Sequence, residues 1–162
     1  MALALQELGE DEAAREHFRA MLKLNGNDNQ GIRYLLLASL LRCGDLAGAK
    51  ALLASYADDW SAQWLYTRAL IAYRDGHGAE AATLKLVKEA RSANGHVPAI
   101  LARTRPPVLT QTGYITMGGP DEATDYVREF GQAWKDTPGA IAWLAEAADA
   151  APSKHRSSKR NT

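Results

Sequence analysis

Apolar positions along this 162-residue chain recur with a helical period rather than a strand period. One pattern appears four times: a small residue, then further positions four, seven and eight residues on. Its copies are Ala14, Phe18, Met21, Leu22; Ala49, Leu53, Tyr56, Ala57; Ala82, Leu86, Glu89, Ala90; and Ala123, Val127, Phe130, Gly131. Such spacings share one face of an α-helix, so each copy predicts a buried stripe. The leading alanines stand 35, 33 and 41 residues apart. A period of that size is the signature of a helical repeat.

A turn and a second apolar helix precede each stripe. Leu5, Leu8, Gly9 and Glu10 match Leu40, Cys43, Gly44 and Asp45 at the same offset of 35 residues. By that match Cys43 reads as a small core residue. Glycine after the last periodic position is a helix stop, because it enters the left-handed region cheaply. DEAAREHF and DLAGAKALL then restart a helix with acids in the first turn, where the dipole favours them. Residues 66–78, YTRALIAYRDGHG, play the corresponding part in the third copy. Each unit is a helix–turn–helix of about 34 residues.

These units resemble the tetratricopeptide repeat, an antiparallel helix pair whose copies stack into a right-handed superhelix. Met1, Ala2 and Leu5, then Leu36, Leu37 and Leu40, then Ala69, Leu70 and Tyr73 fill the roles of that family's first helix. Ala14, Ala49 and Ala82 are the small residues of its second. Leu37 and Leu70 depart from the family, which prefers a small residue there. The proline usual at a repeat end is also missing after the first two units. The resemblance spans roughly residues 1–95, with units at about 1–28, 29–60 and 61–95.

An irregular segment, 96–136, follows. Val97-Pro98 opens a short helix to about Arg103. Pro106-Pro107 then forbids helix, and VLTQTGYITM carries β-branched residues scarce elsewhere. Gly119-Pro120-Asp121-Glu122 restarts a helix. Thr137-Pro138 reads as a capping hydroxyl followed by a first-turn proline, opening a last helix within 137–151. Ile141, Leu144 and Ala148 of that helix are expected to cap the stack. The stretch from Gly113 to Leu144 also resembles the closing segment of uncharacterised bacterial helical-repeat proteins.

Composition narrows the picture. Thirty alanines and 20 leucines stand against 4 valines and 5 isoleucines, so the expected fold class is all-α. A single cysteine excludes an internal disulfide, and four scattered histidines leave no zinc framework. No apolar run approaches the roughly 20 residues that cross a bilayer, and MALAL lacks a secretion signal. A cytoplasmic protein without a membrane partner is the expectation. The 19 basic and 19 acidic residues balance. Lys154, Arg156, Lys159 and Arg160 crowd the last ten residues, however, and residues 152–162 read as a disordered basic tail. Four cations without an interleaved aromatic argue against a nucleic-acid partner.

Catalytic chemistry finds little footing. His17, His77, His96 and His155 are isolated, and GYITMGGPDEA lacks a phosphate-loop lysine and a dinucleotide glycine pattern. No cofactor, metal or turnover is expected. In the family architecture first helices line a concave groove, and two faces qualify here. Tyr34, Ala38, Leu41 and Arg42 form one; Trp64, Arg68, Ile71 and Asp75 form the other, with Arg74 at its edge. Tyr34, Arg42, Trp64, Arg68, Ile71 and Arg74 would therefore grip a peptide or helix, and the arginines suit an acidic one. The alternative for the same residues is that the rings pack between helices while the arginines are solvated. At the level of function the expectation is a non-catalytic protein-binding module. Its rival is a structural fragment of a longer array, docked through its first unit.

Overall fold

The computed structural model describes residues 11–104, 106–107 and 115–149, with the backbone alone at 148 and 149. The expectations for the opening helix at Met1–Leu8, for residues 108–114, for Ala148 and for the tail lie outside the described residues. Among those described, every regular element is a helix. They are α1 (Asp11–Leu24), α2 (Ile32–Cys43), α3 (Leu46–Ser55), α4 (Ala62–Arg74), α5 (Ala81–Ala93), α6 (Val97–Leu101), α7 (Pro120–Lys135) and α8 (Ala140–Asp149).

Local chemistry explains the boundaries. Gly44 ends α2 at φ 77°, where its N–H reaches the carbonyls of Leu40 and Leu41, and Asp45 caps α3 by accepting from the Gly48 N–H at 2.8 Å. Ser61 caps α4 through the Trp64 N–H. Pro120 opens α7 with Asp121 and Glu122 in its first turn. The last helix differs from expectation, beginning at Ala140 rather than Pro138. Thr137 does not cap it. Its hydroxyl donates back to the Ala133 carbonyl at 2.7 Å and accepts from Arg74.

Successive helices pack as neighbours from α1 through α5. Ala14 and Phe18 of α1, and Ala49 and Leu53 of α3, are buried as the stripes predict. The third stripe is displaced by one residue. Ala82 is exposed, and Thr83, Val87 and Ala90 form the buried face of α5. Cys43, expected in the core, is exposed at the end of α2.

α7 then returns across the molecule and packs against both α2 and α4. Tyr126 and Phe130 stack at 5.0 Å, and Tyr126 meets Tyr66 of α4 at 5.6 Å. The Trp134 indole donates to the Tyr126 hydroxyl at 2.8 Å. α8 closes against α5, α6 and α7, burying Leu144 with Ile141 packed beside it.

Candidate functional site

The face of α4 carrying Trp64, Arg68 and Ile71, with Asp75 at its C-cap, turns toward α3. Its N-terminal end is sealed: Trp64 has 0% exposure, and its indole donates to the Leu53 carbonyl at 3.3 Å. Tyr34 and Tyr56 pack edge-on against it, with ring centroids 5.6 and 6.0 Å away. Two of the expected groove residues, Tyr34 and Trp64, thus sit between helices.

Arg33 organises that cluster, a role the sequence pattern did not reveal. Its Nε donates to Asp59 at 2.7 Å, Nη1 to Asp28 at 2.9 Å and Nη2 to the Tyr34 hydroxyl at 2.8 Å. The guanidinium lies 4.5 Å from the Tyr34 ring centroid. Asp28 also accepts from the N–H groups of Ile32 and Arg33, fixing the start of α2. Burial works to raise the Asp59 carboxyl, but hydrogen bonds from Ser61, Arg33 and Tyr34 outweigh it and hold it below the usual range. One guanidinium thus serves both carboxylates, and the cluster joins α2 to the α3–α4 turn.

The C-terminal end of the same α4 face opens into a groove of about 410 Å³ walled by α3 and α5. Leu53, Ile71, Ala82 and Leu86 supply its apolar lining, and Arg68 lies along it. At the far end Lys50 pairs with Asp75 at 2.8 Å and His77 with Glu80 at 2.6 Å. Ala82 belongs to this lining, which is why it is exposed.

The other expected residues disperse. Arg42 is exposed near the end of α2. Arg74 turns the other way, to the end of α7, donating from Nε to Thr137 Oγ1 at 2.7 Å and from Nη2 to the Ala133 carbonyl at 2.8 Å. With α7 packed on α2 and α4, the open groove lies among α3, α4 and α5. Of the six residues, Arg68 and Ile71 share it. Leu53 and Leu86 were legible as stripe positions but not as groove lining.

A second polar cluster ties helix ends together. Buried Glu122 accepts from the Gly118 N–H at 2.7 Å, from Asn94 Nδ2 at 2.9 Å and from the Ala62 N–H at 3.3 Å. Asn94 also donates to the Gly119 carbonyl, and its own carbonyl accepts from Tyr66 at 2.6 Å. Among the described residues no three His, Cys, Asp or Glu side chains gather as metal ligands, and no helix is long and apolar enough to cross a membrane. No family model, curated protein or solved structure matches the chain.

Proposed function

We propose that the chain is a non-catalytic binding module that accepts a short amphipathic segment of another protein in the α3–α4–α5 groove. The groove itself carries this reading: an apolar lining of Leu53, Ile71, Ala82 and Leu86, with Arg68 along it and an ion pair at one end. Apolar anchors would bury against the lining, and an acidic residue would meet Arg68. The Lys50–Asp75 pair would help fix the segment's direction through charge complementarity. The tetratricopeptide-like arrangement of helix pairs is part of the same proposal, with Arg68 and Ile71 kept from the expected binding surface and joined by Leu53, Ala82 and Leu86.

A peptide library displayed on phage tests it. Peptides selected on the intact chain should combine apolar positions at helical spacing with an acid. They should bind at least tenfold more weakly to Arg68→Glu and to Ala82→Glu, both of which leave the core untouched. Equal affinity for the parent and both variants would place the binding surface elsewhere. An empty selection would remove the proposal.

A further inference from the structure

A separate cleft of about 650 Å³ opens between the α4–α5 turn and the α7–α8 turn. Tyr73 and Trp143 form one wall, their ring centroids 4.7 Å apart and their planes tilted by 33°. Both polar handles are already satisfied: the Trp143 indole donates to the Gly78 carbonyl at 3.0 Å, and the Tyr73 hydroxyl to the Pro138 carbonyl at 3.1 Å. The wall therefore offers ring surface rather than hydrogen bonds. Its closeness depends on Gly78, where a Cβ would come within 2.8 Å of the Tyr73 ring.

Arg74 lines the same cleft. The carbonyl of Ala133 and the hydroxyl of Thr137 engage one side of its guanidinium fork, through Nη2 and Nε. Among the described residues Nη1 donates to no protein partner, Nη2 bonds the Ala133 carbonyl alone, and no carboxylate pairs with Arg74. Asp136 shares the lining but accepts from Gln132 Nε2 at 2.7 Å instead.

We infer that this cleft binds a singly charged carboxylate carried on a flat apolar body. Arg74 would grip the carboxylate through Nη1 and the second N–H of Nη2, and the Tyr73–Trp143 wall would cover the body. A planar fork matches a carboxylate in two parallel hydrogen bonds. The nearby Asp136 charge disfavours a dianion such as phosphate. The carboxylate can come from a free aromatic acid or from the last residue of a peptide ending in an aromatic side chain.

NMR titration of the intact chain, read at the Trp143 indole N–H, tests the inference and separates those sources. One arm uses 3-phenylpropanoate against 3-phenylpropanamide; the other uses acetyl-Gly-Gly-Phe against its C-terminal amide. The acid of at least one pair should shift the Trp143 signal and bind at least tenfold more tightly than its amide. The arm with the tighter acid identifies the source. Arg74→Lys should weaken that acid about tenfold, while Asp136→Asn should strengthen it and admit inorganic phosphate. Acids and amides binding alike in both arms, or neither acid moving Trp143 by about 10 mM, would overturn the inference. The acid–amide comparison uses the unaltered chain, so it decides the matter even if Arg74→Lys loosens the end of α7.

Discussion

Ala49 and Ala82 hold matching places in the expected repeat pattern, yet one is sealed in the core and the other faces the groove. The ambiguity lay in the sequence itself. In α5 the sets Ala82, Leu86, Glu89 and Thr83, Val87, Ala90 both follow helical spacing and differ by a rotation of one residue. Spacing alone does not choose between them; the helices packed on α5 do. The two alanines consequently predict opposite outcomes for one substitution. Ala49→Leu should overpack the α3 seam and cost about 1–3 kcal/mol, whereas Ala82→Leu should stay within about 0.5 kcal/mol. Urea midpoints of the two variants check this directly. Asp59 carries a second prediction. Its folded carboxyl titrates below its unfolded value, so its contribution is complete above the unfolded pKa and disappears as pH falls through the folded one. Asp59→Asn should cost about 1–3 kcal/mol at neutral pH and narrow its deficit against the parent in acid. Denaturation at pH 7 and pH 3 would show an unchanged gap if the carboxylate did not matter.

At the scale of elements, helix starts and stops were written in single residues, and Gly44, Pro98 and Pro120 mark them in the folded chain. Destinations were harder to read. α7 carried one visible sign of its place: Ala123, Tyr126, Phe130, Ala133 and Trp134 make a buried face broader than the stripe of a helix packed on one neighbour. The partners, α2 and α4, lie far away in sequence, and no local pattern names them. The same distance explains the candidate site. Arg68 and Ile71 were legible as one α4 face, but Arg74 was drawn off by the end of α7 and Trp64 by α3. α7 is anchored at its start by Asn94, whose amide reaches both Glu122 and the Gly119 carbonyl. Asn94→Ala removes those donors and leaves buried acceptors short, at a cost of about 2–4 kcal/mol. Amide hydrogen exchange should quicken first in the opening turns of α7. Equal protection along the whole helix would refute an anchoring role.

The return of α7 changes how the whole molecule should melt. In a linear array each unit touches only its neighbours, and ends can open while the middle persists. Here α7 bridges α2 and α4, and α8 bridges α5, α6 and α7, so the described helices share one continuous core. Unfolding should accordingly be all-or-none. Tyr66 and Tyr126 give that statement a pH dependence, because burial pushes both phenols above their ordinary range. A raised folded pKa contributes stability that is complete below the unfolded value near 10 and is lost as pH climbs beyond it. The two hydroxyls should thus stay protonated until the chain opens and then ionise with it. Alkaline titration can follow tyrosinate absorbance, far-UV circular dichroism and tryptophan fluorescence together. Part of the absorbance change should coincide with a single loss of helix and of tryptophan burial. If those two tyrosines ionised while the helices persisted, or if the helix signal fell in two steps, the bridge made by α7 would not unify the fold.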